Sequence, residues 1–292
     1  MYDGSHMETR FRFRGLTAFP PELLHAEHVW LDGNAIASLP PLPNVRELFL
    51  DGNKLTEFPA LPPSIEKLHF RHNQLRSIPD SIAELGALTE LRIGGNGLTS
   101  VPDAIWSLTN LEMLDLSENE LTSLSPDIAR LPNLRILDLG HNAFDSLPPL
   151  TALEVLYIHD NRLTSLPALH GPITYLNAGE NPLKTVNDIE LPALRELKVE
   201  ASQLTDLPAS LAKLTSLREL SVSANLFEEL PRVIVEMPWL EVIDLRRNRL
   251  VALPESIANL TNLRKLDLRW NKLARIPAAV KTLQQRGCFV LL

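Results

Sequence analysis

The chain has 292 residues, of which 45% are hydrophobic and only 5% aromatic, and this suits a core built from aliphatic side chains. Its 36 acidic residues outnumber its 28 Lys and Arg residues, and the net charge of −8 does not favour a nucleic acid as the partner. No apolar run approaches the roughly 20 residues that cross a bilayer, and the single cysteine, Cys288, excludes a disulfide framework and favours a reducing compartment.

The beginning of the chain contains the order Gly-Ser-His-Met at residues 4–7, which is typical of a cloning remnant, so residues 1–6 are assigned to an expression tag. Residues 7–25 are predicted to form an N-terminal cap, because the end of a repeat stack exposes apolar layers and a strand edge. Within the cap, Phe and Arg alternate over residues 11–16, which predicts a degenerate first strand with its arginines facing water.

Residues 26–273 repeat one hydrophobic signature, L-x-x-L-x-L-x-x-N-x-L, twelve times at intervals of 19 to 23 residues. A serine replaces its asparagine once. The positions are Asn34, Asn53, Asn73, Asn96, Asn119, Asn142, Asn161, Asn181, Ser202, Asn225, Asn248 and Asn271. A period of about 20–29 residues predicts units that cannot bury their apolar faces singly and must stack as one solenoid.

Each signature contains the two-residue alternation of a short strand. In the fifth unit, Leu114 and Leu116 point to the core, and this leaves Met113, Asp115 and Ser117 on the free face. The predicted fold class is therefore α/β, a solenoid curved like a horseshoe with a parallel concave β-sheet of about 12 strands.

The convex side is predicted to mix two kinds of segment. Long units continue with Leu-Pro or Val-Pro and an amphipathic stretch, as at residues 101–108 and 253–260, and these predict helical turns. Short units are proline-rich, as at residues 39–43 and 58–63, and predict extended or polyproline segments.

The recurring asparagine is predicted to hydrogen-bond buried backbone groups where the chain turns out of each strand. Ser202 has a shorter side chain, so we expect the asparagine ladder to be weaker there. Residues 274–292 are predicted to form a C-terminal cap, with a last helix at residues 278–283, a closing strand at residues 288–291 and a buried Cys288.

Three groups of side chains on the free face are candidate contacts for a protein partner. The first is aromatic and basic, the second contains tyrosines, and the third is basic with an interleaved tryptophan. The candidates are Trp30, Phe49, His69, Arg71 and Arg92 in the first group; Tyr157, His159 and Tyr175 in the second; and Arg246, Arg247, Arg269 and Trp270 in the third. The alternative for Trp30 and Phe49 is that the N-terminal cap covers them.

Other motifs carry weaker signals. His69 and His72 lack a third ligand at metal-site spacing, so no metal site is predicted. Gly94, Gly95 and Gly97 lack the lysine-serine pair of a phosphate loop, and we expect them to leave a bare area beside Arg92.

The signatures from about residue 26 to the end of the chain resemble the leucine-rich repeat superfamily. The short units, such as residues 34–43, resemble repeats of bacterial type III secreted effectors, including those fused to a novel E3 ubiquitin ligase domain. The long units, such as residues 248–257, are similar to intracellular Ras-group repeats and to bacterial multi-repeat proteins. This mixture implies a bacterial protein that binds another protein on its concave face.

The function expected from these features is a non-enzymatic scaffold that needs no cofactor and binds a protein partner, with a partner surface that is acidic toward the C-terminal end. No nucleic acid or membrane is expected, and the expected location is the bacterial cytoplasm, or the host cytoplasm for a secreted effector. One alternative is the substrate-targeting region of a larger bacterial ligase, kinase or GTPase. Another is glycan binding by the same aromatic side chains.

Overall fold

A computed structural model describes residues 11–187 and 189–292, so the predicted tag at residues 1–6 lies outside the described residues. The described chain divides into two compact units. The first ends at Ala143, and the second begins at Phe144. Each unit is built from successive repeats, and each repeat supplies one short strand to a parallel sheet.

The first unit contains six described strands of three residues each. They are β1 (His28–Trp30), β2 (Glu47–Phe49), β3 (Lys67–His69), β4 (Glu90–Arg92), β5 (Met113–Asp115) and β6 (Ile136–Asp138). Neighbouring strands pair in sequence order and in one register, so the third residues Trp30, Phe49 and His69 lie side by side. One 3₁₀ helix, Pro21–Leu23, precedes β1, and three others lie between strands at Asp80–Glu84, Asp103–Ser107 and Pro126–Arg130.

The second unit contains seven described strands. They are β7 (Val155–Tyr157), β8 (Tyr175–Asn177), β9 (Glu196–Lys198), β10 (Glu219–Ser221), β11 (Val242–Asp244), β12 (Lys265–Asp267) and β13 (Phe289–Leu291). The unit also has 3₁₀ helices at Ala209–Lys213 and Glu255–Asn259, and α-helices α1 (Arg232–Val235) and α2 (Ala278–Gln285). The strand prediction is confirmed, and the C-terminal helix and strand form as expected, with Cys288 only 4% exposed.

The core of each unit consists of the signature leucines and their aliphatic replacements. In the fifth repeat, Leu111, Leu114, Leu116 and Leu121 have no exposed surface. The middle residue of each strand points into this core, because successive side chains of a strand point to opposite faces. The first and third residues of each strand are thereby left on the other side of the sheet.

Each helical segment starts directly after a proline or contains one in its first turn, because the fixed φ of proline suits the start of a helix. In the segment Asp80–Glu84, the Ile82 N–H donates to the Pro79 carbonyl at 3.1 Å, a three-residue step that defines the 3₁₀ form. The proline-rich residues 39–43 and 58–63 contain neither helix nor strand, in line with the prediction for the short repeats. Within the described ranges, no helix has both the length and the apolar character that a membrane crossing requires.

The signature asparagines hydrogen-bond from one repeat to the next, as predicted. Asn119 accepts from the Leu98 N–H at 3.0 Å and donates to the Leu116 carbonyl at 3.0 Å. At Ser202 the pattern is interrupted, because the Leu183 N–H donates instead to the Asn181 carbonyl at 2.7 Å. The expected weak point of the ladder is confirmed.

The predicted first strand at residues 11–16 is wrong. These residues form turns, because Phe13 and Gly15 have φ of 55° and 67° and therefore leave the extended region. The segment is attached instead through Asn34, whose side-chain oxygen accepts from the Arg14 and Leu16 N–H groups at 3.0 Å.

Candidate functional site

The candidate site of each unit is the side of the sheet opposite the leucine core. We call it the open face, and it consists of the first and third residues of each strand together with the residue two positions after the strand. In both units the third strand residues form one row by strand register, as the sequence pattern predicts. A side chain of this row can contact a partner only where the neighbouring side chains leave it exposed.

An aromatic strip lies across β1 to β3 of the first unit and consists of His28, Trp30, Phe49 and His69. The Trp30 and Phe49 rings stack with centroids 5.6 Å apart and an angle of 5° between their planes. His28 stacks on Trp30 at 5.7 Å, and the His69 ring meets Phe49 edge-on at 4.4 Å. Trp30 and Phe49 are half-buried, because each ring covers part of its neighbour.

Charged groups hold both ends of the aromatic strip. At one end, Glu47 accepts from His28 at 3.0 Å and from the Lys67 ammonium at 2.9 Å. At the other end, Glu90 accepts from His69 at 3.0 Å and from Arg92 at 2.6 Å. The hydrogen bond from His69 is the largest cause that lowers the pKa of Glu90 to about 2; burial opposes it and Arg92 reinforces it.

The expected bare area is wrong at Gly94 and Gly95, because neighbouring side chains lie against both. Arg71 skips the repeat of Gly94 and pairs with Asp115 two repeats away. A Cβ atom added to Gly94 would lie 2.8 Å from the Ser117 hydroxyl and 3.1 Å from the Asp115 carboxylate. Asp115 was expected on a free face, but Arg71 and Ser117 cover it completely.

A second pair crosses the glycines beside the first. The His72 ring lies over Gly95, where an added Cβ would be 2.4 Å from its Nδ1 atom, and this nitrogen is 3.8 Å from the Glu118 carboxylate. His69 and His72 therefore take separate carboxylate partners. No group of three or more metal-ligating side chains occurs within residues 11–187 and 189–292.

The tyrosine group of the second unit forms as expected. The rings of Tyr157 and Tyr175 are 5.0 Å apart, and His159 meets Tyr157 at 6.3 Å. The sequence did not single out Lys198, whose ammonium lies 5.2 Å from the Tyr175 ring centre and 2.9 Å from Glu196. Burial opposes the charge of Lys198, but hydrogen bonds to Glu196 and Tyr175 raise its pKa above the ordinary value.

The basic group near the C-terminal end is less basic than the sequence indicates. Arg246 pairs with Asp244, and Arg269 pairs with Asp267 at 2.7 Å, so two of the candidate arginines have their charge compensated. The charge of Arg247 is not compensated by a carboxylate within the described residues. Its guanidinium lies 5.0 Å from the centre of the Trp270 ring.

The arginine–tryptophan cluster, as we call it, consists of Arg247, Arg269 and Trp270. The Arg269 guanidinium lies 5.1 Å from the Trp270 ring centre, so two guanidinium groups contact one indole. Trp270 is nonetheless 59% exposed, and it is the largest side chain by size that is exposed in the described repeats. A partly hydrated aromatic ring beside arginines is typical of the residues that dominate protein interfaces.

The sequence analysis missed one further row, the residue before each signature asparagine, which we call the rim row. All twelve of its members have positive φ. In the first unit they are Gly33, Gly52, His72, Gly95, Glu118 and His141, and in the second unit they are Asp160, Glu180, Ala201, Ala224, Arg247 and Trp270. The available signal was the frequent Gly, His and Asp at this position, residue types that tolerate the left-handed region.

Comparisons with known proteins agree with this architecture. A family model for leucine-rich repeats matches residues 87–144 and 215–273. A leucine-rich repeat protein of Leptospira interrogans is 27% identical with a TM-score of 0.72, and the alignment covers 95% of this chain and 82% of that one. The sequence has no significant match among curated proteins.

Two further solved structures have similar folds. A chain of the Toll–Spatzle complex from Drosophila is 26% identical with a TM-score of 0.76, and the match covers 92% of this chain but 40% of that one. An internalin from Listeria monocytogenes is 20% identical with a TM-score of 0.69, covering 92% and 88%, and supports the fold alone. Two segments of the chain thus match the leucine-rich repeat family, and the chain as a whole resembles bacterial leucine-rich repeat proteins.

Proposed function

We propose that this protein recognises a protein partner through the open face and the adjoining end of the rim row, with the aromatic strip, the tyrosine group and the arginine–tryptophan cluster as its main contacts. The observation that carries the proposal is the placement of large rings on a face that the core does not use. Trp30, Phe49, Tyr157 and Tyr175 all lie in strands yet point away from the leucines. Such rings bring large contact areas at small cost in side-chain entropy, and they are enriched in interface centres.

The charge pattern supports a partner of mixed polarity. Most open-face charges are already paired within the chain, as for Glu47 with Lys67 and Arg269 with Asp267, so they orient a partner more than they attract it. Arg247, on the adjoining rim row, has no ion-pair partner among the described residues and favours an acidic partner group at that end. The similar chain in the Toll–Spatzle structure belongs to a complex, and this is compatible with protein recognition by the same fold.

The test is capture of partners on the immobilised chain, compared between two sets of variants. In the first set, Trp30, Phe49, Tyr157, Tyr175, Arg247 and Trp270 are replaced by alanine. In the control set, exposed residues of the helical side are replaced: Glu84→Ala, Lys213→Ala and Lys281→Ala. We expect the first set to lose a captured protein that the control set retains, with far-UV circular dichroism unchanged in both.

Retention of every captured protein by the first set would contradict the proposal. The non-enzymatic role and the cytoplasmic location stay predictions from the sequence.

A further inference from the structure

The rim row of the second unit is a regular ladder with one side chain per repeat. The N–H groups of Glu180, Ala201, Ala224 and Arg247 each donate to a carbonyl of the next repeat, at 2.7 to 3.0 Å. Their backbones therefore advance with the sheet, by about 4.8 Å per repeat. Glu180 and Arg247 are three repeats apart, so their Cα atoms are separated by roughly 14 Å.

Glu180 and Arg247 are exposed charges of opposite sign, and neither has an ion-pair partner among the described residues. The two residues between them are alanines, Ala201 and Ala224, whose small side chains leave space between the two charges. This arrangement differs from the rim row of the first unit, where His72 lies over Gly95 and approaches Glu118.

The backbone places two large side chains on the rim at the basic end. Arg247 and Trp270 have φ of 54° and 61°, in the left-handed region that all members of the rim row share. Here they place a guanidinium and an indole side by side on the rim.

An extended peptide matches these distances. It advances about 3.4 Å per residue, so four residues span roughly 14 Å, and residues i, i+2 and i+4 point to the same side. If residue i lies opposite Arg247, residue i+4 lies opposite Glu180 and residue i+2 lies over the two alanines.

We propose that the rim of the second unit binds an extended segment of a protein partner, with an acidic residue against Arg247 and Trp270, a small residue over Ala201 and Ala224, and a basic residue four positions away against Glu180. The inference rests on the proposed function and specifies the chemistry of the partner. For a given segment the charge pattern sets the direction in which it lies, because the reversed direction would place like charges together.

The test uses labelled synthetic peptides and fluorescence anisotropy. One series places Glu before Lys at separations of about two, four and six residues, with alanine and serine elsewhere, and a second series exchanges Glu and Lys. The peptides carry equal net charge, so only spacing and order differ. Protein variants are Glu180→Lys, Arg247→Glu, the double variant, and Lys213→Glu as a control on the helical side.

We expect the wild-type chain to bind the peptides with four-residue separation best, in either order, because a peptide of the exchanged order can lie in the opposite direction. Each single variant should weaken this binding about fivefold, as exposed ion pairs do, and the control should not. The double variant should regain binding at the four-residue separation, and this gain shows that the variant is folded.

Absence of binding, equal binding at all separations, or failure of the double variant to regain binding would each overturn the inference. In those cases, loss of the captured partner from the alanine set would still support recognition by the open face, so the two proposals fail separately.

Discussion

Gly94 leaves room for the side chains around Asp115 on the open face of the first unit. Because it has no Cβ, Ser117 and Asp115 can lie close to it. Asp115 is fully buried, pairs with Arg71 and accepts from the Ser117 hydroxyl at 2.7 Å. A buried carboxylate is tolerated only when it is paired and hydrogen-bonded. The glycine thus has a packing role that its position in a glycine-rich run does not reveal.

Replacement of Gly94 by alanine should therefore destabilise the chain. The added Cβ would lie 2.8 Å from the Ser117 hydroxyl and 3.0 Å from the Ser117 carbonyl oxygen, so the Asp115 contacts must shift. We expect the free energy of unfolding to fall by about 1–3 kcal/mol in urea titrations. Gly86→Ala is the matched control, because nothing lies within 4 Å of its added Cβ; equal stability of the two variants would refute this account.

Glu90 should make the stability of the chain depend on acidic pH. Its ordinary pKa of 4.5 is lowered to about 2, chiefly by the hydrogen bond from His69. The folded state therefore holds the proton more weakly than the unfolded state, so the stabilisation is complete above about pH 4.5 and is lost as the pH falls toward 2. Other carboxylates titrate in the same range and must be subtracted.

The subtraction is made with Glu90→Gln, which removes the titrating group but keeps a hydrogen-bonding side chain. Between pH 4.5 and 2 we expect the unfolding free energy of this variant to fall less steeply than that of the wild-type chain. Glu84→Gln, at an exposed position in a 3₁₀ helix, should follow the wild type. Parallel curves for all three proteins would show that the His69–Glu90 bond does not contribute.

Among the structural elements, the turn after each strand is the most regular. Its asparagine satisfies buried backbone groups of two repeats, as Asn225 does by accepting from the Leu204 N–H at 3.1 Å and donating to the Val199 carbonyl at 2.8 Å. Ser202 makes only a 3.3 Å bond to the Glu200 carbonyl in its own turn. This turn is therefore where an additional hydrogen bond can be introduced.

Ser202→Asn should stabilise the second unit. A carboxamide at this position can accept from the Leu183 N–H, as the other signature asparagines do in their repeats. One such buried hydrogen bond contributes about 1 kcal/mol. Thermal and urea unfolding of the Ser202→Asn and Ser202→Ala variants measure the effect. We expect the Asn variant to be more stable than the wild-type chain and the Ala variant to be equally or less stable. An Asn variant that is less stable than the wild type would contradict the role given to the asparagine ladder.

The sequence predicts the strands, the buried leucines and the Ser202 turn because all three follow from a local pattern. The alternation around Leu114 needs only the two-residue period of a strand, and the outcome matches in both units. The 3₁₀ form of the helical segments is not predicted, since five residues after a proline suit either helix type. Residues 11–16 were misassigned because alternation alone does not reveal the positive φ of Phe13 and Gly15.

The repeat order also limits how much of the site a sequence can reveal. Strand register follows from the signature, so Trp30 and Phe49 could be paired in advance, and Tyr157 and Tyr175 could be placed on adjacent strands. Contacts that skip a repeat could not be predicted, because the reach of Arg71 to Asp115 depends on side-chain conformation. Ion pairs also depend on side-chain conformation. Counting charged residues therefore overestimated the positive charge of the C-terminal basic group, which Asp267 and its neighbours partly compensate.

Across all repeats, partner binding is assigned to the open face, and site-specific photocrosslinking tests this most directly. A benzophenone amino acid is placed at Phe49 or Tyr157 on the open face, or at Glu84 or Lys213 on the helical side, and adducts are identified by mass spectrometry. We predict that one protein partner is crosslinked from the open-face positions and not from the helical side. A partner crosslinked only from Glu84 or Lys213 would contradict the assignment.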